Sequence, residues 1–412
     1  MIFNALNRPY WFSVIFVTIV VQLHLLRNIS EIYYLIYLIA VVATFLFVLR
    51  RWKFLSKVEK KAIFYIVAIF LMPIISILPG LFQASYYSVE GIVVGVLRII
   101  FVLPIYLVIL STPSDQNSFN KLFVLVASVT CLAALSVPYQ FIFGPIEWFA
   151  VSSERAGLDR FASLFGSLTA LGGVVGFGIL AAILANMSNI VRAVFVSGII
   201  LGAVLSLQKA AIANVLLALI FLPFFKQFNK RSIFVVVVYF LVLSSLASVF
   251  FGSEISSFLS TVKFGSDSDF SGDFSFTESI SQRLFDLPAE AIDFHGAWNL
   301  ILGVGPIGGS GAFGYADVPM SHNGFVDLLL VGGITYFLLF IAFLFFILTK
   351  SKQRSLKYST NFNIVAFGYF CMMLLLVNML MSGLNFFTPS GAMFFALATK
   401  CLLLRKEGLA VF

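Results

Sequence analysis

The stretch PMSHNGFVDLLLVGGITYFLLF, residues 319–340, starts polar and becomes predominantly apolar after His322. The apolar run continues to residue 349, longer than the roughly twenty residues a helix needs to cross a bilayer. Comparable runs occur at 10–26, 33–49, 62–83, 92–111, 122–144, 167–186, 193–207, 210–225, 233–252, 362–382 and 389–404. Apolar residues fill 61% of the 412 positions and charged residues 11%. The fold class these numbers imply is all-α: a polytopic membrane bundle of about twelve transmembrane helices, residues 1–412 forming a single integral membrane domain. The first run has no small-residue cleavage site and a second run follows closely, so it is expected to remain as a helix.

The formal charge of +8 is explained by membrane topology and calls for no nucleic-acid partner. With both termini in the cytoplasm, the inner segments collect 19 of the 26 basic residues, among them Arg50, Arg51, Lys60, Lys61, Lys230, Arg231, Lys350, Arg354 and Lys400. Arg27, Arg98, Arg155, Arg160, Lys209, Lys263 and Arg283 fall on or near the outer side, and the positive-inside bias favours this orientation. Two outer segments stand out, a short one at 145–166 and a long extracytoplasmic loop at 253–323. The long loop opens with KFGSDSDFSGDFSF, a flexible composition, and continues as SISQRLFDLPAEAIDFHGAWNL, where Ser279 and Gln282 have capping-box spacing. Two short interfacial helices broken at Pro288 are expected there. Six glycines in the twelve positions 303–314 then predict a loop leading to His322.

Several motifs fail on context. GVGPIG at 303–308 satisfies GxGxxG but lacks the flanking strand and helix of a dinucleotide site, so no cofactor is expected. Asp267 and Asp269 form a DxD, but no position-12 glutamate or rigid flank supports a calcium cage. His24 and His295 lie far apart with no Cys/His cluster, so no metal site is expected. Cys131, Cys371 and Cys401 lie in apolar runs and form neither a CxxC pair nor a disulfide framework. Gly172 and Gly176 have the GxxxG spacing that permits close helix contact.

What remains on the outer face is a set of basic side chains and one histidine. Arg155 and Arg160, in SSERAGLDRFASLFG, are either balanced at a water interface by Glu154 and Asp159 or form an anion site, since arginine forks bind phosphate oxygens in pairs. His322 is either a satisfied residue at a helix start or a proton acceptor working near neutral pH.

The chain resembles the O-antigen ligase/polymerase superfamily, membrane enzymes that act on undecaprenyl-diphosphate-linked glycans at the outer face of the bacterial inner membrane. The resemblance rests on an ordered series: DRFASLFGSLTALGG at 159–173, LSLQKAAIANVLLAL at 205–219, SQRL at 281–284, LGVGP at 302–306 and HNGFVDLLLVGGITY at 322–336. The last fits the family pattern of His, then Asn, Ser or Gln, nine residues, then GxxG with Tyr allowed in the final place. His322, Asn323, Gly333 and Tyr336 meet it, with Gly303 and Gly305 supporting. The series spans roughly half the chain, a family-like catalytic region at 159–340. At 205–219 the family often has arginine after the serines, where this chain has Gln208 and Lys209, which leaves a point charge without a fork.

The resemblance implies a glycosyltransferase without metal or cofactor, located in the inner membrane with its active site on the periplasmic side. Its partners would be the lipid-linked glycan, membrane lipid and, as a further option, a chain-length regulator. Arg160, Arg283, Arg155 and Lys209 would hold the diphosphate and His322 would accept the proton of the attacking sugar hydroxyl. Arg98 either reaches the same phosphates or snorkels to the interface. Asp327 would help orient His322, although a five-residue spacing is poor for a direct helical pair. SLFGSLTALGG is closer to the polymerase version of this segment, which ranks a polysaccharide polymerase above an O-antigen ligase acting on the lipid A core. A transporter ranks third, because the sequence has no repeated halves and Arg98 is the one charge placed clearly within a span.

Overall fold

The computed structural model describes residues 2–23, 25–26, 29–78, 80, 89–146, 153–155, 158–166, 168, 170–222, 225, 281–308, 319–355, 362–382 and 385–404. Over the described residues the fold is all-α apart from one short two-stranded ribbon. The helices are α1 (Ile2–Gln22), α2 (Ile32–Trp52), α3 (Lys57–Ile75), α4 (Val89–Ser111), α5 (Gln116–Phe143), α6 (Val175–Leu184), α7 (Asn189–Leu205) and α8 (Lys209–Phe221). They are followed by α9 (Leu287–His295), α10 (Asn299–Leu302), α11 (Gly324–Ser355), α12 (Phe362–Ser382) and α13 (Pro389–Leu402). The ribbon pairs β1 (Ser153–Arg155) antiparallel with β2 (Leu158–Arg160), placing Ser153 opposite Arg160.

Among the described residues four helical stretches, Ile32–Trp52, Gln116–Phe143, Gly324–Ser351 and Asn363–Leu380, are long and apolar enough to cross a membrane. The run at 233–252 lies outside the described residues, and a helix stands at each of the other apolar runs. Local chemistry sets the helix starts. Ser56 and Glu59 close a capping box at α3, and the side chains of Asp115, Ser188 and Thr388 accept from the third amide of α5, α7 and α13. Aromatic rings fill the space between helices. Phe70 of α3 lies 5.2 Å from Tyr106 of α4 and 4.8 Å from Phe387, and Phe386 stacks on Phe340 of α11 at 5.2 Å.

The run at 167–186 departs from a single span, because residues 170–174 are turns and α6 begins at Val175. Backbone released from a helix inside an apolar bundle must find other partners. Here the Gly172 amide donates to Gln208 Oε1 at 2.9 Å, the Asn214 amide group donates to the Gly172 carbonyl at 2.7 Å, and Asn378 donates to the Gly173 carbonyl at 3.2 Å. Gly172 and Gly176 do sit in close contact: an added Cβ would come within 2.6 Å of Gln208 Oε1 and 2.7 Å of the Asn214 carbonyl oxygen.

A second correction concerns charge within the bundle. Lys400, placed with the cytoplasmic basic residues on sequence grounds, is buried in α13 and donates to Glu59 at 2.7 Å and to the Leu110 carbonyl at 3.0 Å. Arg98 is therefore not the one charge among the helices. A third concerns the segment at 253–323. Pro288 lies in the first turn of α9, where its fixed φ suits a helix start, and the break falls instead at Gly296, φ 88°.

Candidate functional site

His322 does not open the helix that follows it. It sits two residues ahead of α11 with φ 50°, in the left-handed region that L side chains with a Cβ rarely occupy. Its neighbours hold that conformation. The buried Ser321 hydroxyl accepts from the Asn323 amide at 3.1 Å and donates to Asp327 Oδ1, while Asn323 Oδ1 accepts from the Phe325 amide at 3.0 Å and caps α11. Asp327, fully buried in the first turn, donates its own amide to the Asn323 carbonyl at 2.9 Å. Asp327 thus braces the turn through Ser321, a local connection the five-residue spacing does not suggest. Strain of this kind persists where surrounding bonds over-determine it. Ser321→Ala removes the centre of the brace, and a stability loss of roughly 1–3 kcal/mol is expected, read as a lower unfolding midpoint in detergent.

The glycines on either side of this turn meet below it. Gly333, φ 71°, interrupts α11, and a Cβ there would fall onto the Ile301 carbonyl. Gly303, φ 78°, approaches so closely that a Cβ would come within 2.7 Å of Gly332. The Val304 amide then donates to the Leu330 carbonyl at 2.7 Å, so the loop is stitched to the kinked helix. Gly305 begins the 3-10 turn Gly305–Gly308, whose Pro306 packs where a Cβ on Gly95 of α4 would stand, 2.6 Å away. Tyr336 is fully buried and packs over Gly332, so it supports the kink and does not face the outer turn.

Arg283 lies in a π-helical turn, Gln282–Asp286, that leads directly into α9 and packs on α12. π-turns of this kind recur at functional sites. The Arg283 charge reaches His322: burial first, and then that charge, lower the pKa of the half-buried His322 imidazole below its ordinary value. A cation beside an imidazole disfavours a second positive charge, so His322 is neutral around pH 7 and able to accept a proton.

Arg160 ends β2, half-buried, beside Phe161, which stands edge-on to Phe141 of α5 at 4.9 Å. The chain after it is tied to α5, with Gln140 donating to the Ala162 carbonyl at 2.8 Å and the Leu164 amide donating to Ser136 at 3.0 Å. The backbones of Arg155, Lys209 and Arg98 are placed on β1, at the start of α8 and within α4, and their side chains lie outside the described structure. At the α7–α8 junction Leu207 has φ 53°, and the buried Gln208 is committed to Gly172, leaving Lys209 as the basic group of that motif.

Sequence reasoning passed over Ser321, whose partners Asn323 and Asp327 are local, and Asn214, Asn378 and Glu59, which bond residues distant in sequence. A serine directly before the histidine was the one local signal. Among the described residues, no three His, Cys, Asp or Glu side chains are grouped to hold a metal ion. Comparisons with protein-family models, curated proteins and solved structures found no match.

Proposed function

We propose that the chain is a polysaccharide polymerase of the O-antigen ligase/polymerase kind, joining polyprenyl-diphosphate-linked repeat units at the outer face of the inner membrane. The observation that carries this reading is the braced left-handed turn that holds His322 within electrostatic reach of Arg283. In the transfer, a hydroxyl oxygen of the acceptor sugar bonds to the anomeric carbon of the donor while the bond from that carbon to the diphosphate breaks. The diphosphate leaves with the electron pair, and His322 takes the hydroxyl proton. Arg283 and Arg160 neutralise the charge that develops on the departing diphosphate. Deleting the gene in its native strain tests the proposal. Loss of a polymerase leaves lipopolysaccharide with a single repeat unit, loss of a ligase leaves bare core, and an unchanged ladder overturns both.

Two further results are expected. If Arg160 and Arg283 grip the diphosphate with forked hydrogen bonds, Arg160→Lys and Arg283→Lys lose nearly as much turnover as the alanine variants, because lysine is a point donor. Full activity in both lysine variants at equal protein level contradicts this. The second concerns pH. A base is lost as pH falls through its pKa, and that of His322 lies below the ordinary histidine value, so the acidic limb of kcat/KM should fall below the ordinary histidine range. Arg283→Gln removes a positive neighbour and should move that limb to higher pH. A limb that stays in place separates Arg283 from His322.

A further inference from the structure

Residues 296–304, GAWNLILGV, were expected to lie outside the membrane, and their contacts place them deeper. The carbonyl of Ile301 and the backbone of Gly303 abut Gly332 and Gly333 of α11, nine residues past the start of that helix at Gly324. At 1.5 Å per residue this is about 13 Å along the axis. The apolar stretch Gly324–Ser351 has 28 residues. It measures about 42 Å against a hydrocarbon core of about 30 Å. Centring it in the bilayer leaves about 6 Å of overhang at each end and puts Gly333 about 7 Å inside the outer boundary. At that level Ile301 and Leu302 are each 49% exposed, and Trp298, one turn earlier, is 77% exposed. Backbone at this depth must be satisfied within the protein. The Gly303 amide donates to Asn299 at 2.8 Å and the Val304 amide to Leu330 at 2.7 Å.

We infer that α10 and the glycine turn after it form a re-entrant wedge that dips into the outer leaflet. Ile301 and Leu302 contact lipid acyl chains, and Trp298 anchors the wedge at the headgroup level, where indole rings concentrate. Across the break at Gly296 the wedge is followed back along the chain by α9 and the π-turn that carries Arg283. The inference rests on α11 crossing the membrane and is independent of the transfer chemistry.

The test uses the full-length protein in phosphatidylcholine vesicles, with a nitroxide attached to Ile301→Cys or Leu302→Cys. Cys131, Cys371 and Cys401 are buried, and the parent protein reports any label they take up. Collisions with oxygen are expected to exceed those with a water-soluble nickel chelate several-fold at both positions. Trp298, kept as the single tryptophan with Trp11, Trp52 and Trp148 replaced by Phe, leaves the wedge unaltered. Its fluorescence should be quenched most by lipids brominated near the headgroup end of the acyl chain. Easy access of the nickel chelate makes the segment a water-facing loop, and shielding from both colliders means protein covers it. Either result, or Trp298 emission indifferent to brominated lipid, overturns the inference.

Discussion

With His322 as the proposed general base, His322→Asn is expected to reduce polymer formation by on the order of a hundred-fold to ten-thousand-fold, the usual cost of losing such a group. Asparagine is the sharper substitution because of the backbone. His322 has φ 50°, a conformation that asparagine tolerates better than other residues with a Cβ, so the turn and its Ser321–Asp327 brace survive. Asparagine also keeps the polar character and approximate size of the side chain, and it cannot take up a proton. His322→Ala removes the same chemistry but adds backbone strain, so it should lose some protein stability as well as activity. On the proposed mechanism donor binding rests on the arginines, so it should persist in both variants. The readout is the polysaccharide ladder at matched protein level, together with retention of lipid-linked donor by the purified variant. A normal ladder from the asparagine variant makes His322 a structural residue and removes the central element of the proposed mechanism.

The second large effect is expected far from His322. Lys400 and Glu59 are 1% and 7% exposed, and the carboxylate also accepts from the Ser114 hydroxyl at 2.9 Å and from the Ser56 amide and hydroxyl at 2.8 Å. Lys400→Met leaves Glu59 charged, buried and without its cation, which typically costs about 3–5 kcal/mol. The unfolding midpoint in detergent should fall sharply, and adding Glu59→Leu to Lys400→Met should restore much of the loss, because a buried pair replaced by apolar side chains is often close to neutral. The pair lies at the Leu110 end of α4, whereas the Pro306 turn lies at Gly95, fifteen residues or roughly 22 Å away along that helix. Turnover per folded molecule should therefore change little. Wild-type stability in Lys400→Met shows that the pair is not a clamp, and selective loss of turnover shows that it reaches the site.

Sequence alone determined what depends on local composition. Apolar runs specify where helices form, because a chain in or near lipid must bond its backbone within each segment. It also singled out His322, as an ionisable side chain ahead of an apolar run, and the glycines at 303 and 333, through the motifs that carry the resemblance. Tertiary structure decided whatever depends on distant partners. The run at 167–186 is broken because Gln208, Asn214 and Asn378, remote in sequence, offer Gly172 and Gly173 hydrogen bonds better than an unbroken helix would allow. Lys400 is buried because Glu59, 341 positions away, balances its charge. Residues 296–304 enter the bundle because Gly303 on one side and Gly332 and Gly333 on the other let one backbone pass against another. Hydropathy registers the cost of leaving water at each position, and it holds no information about which distant group will offset that cost.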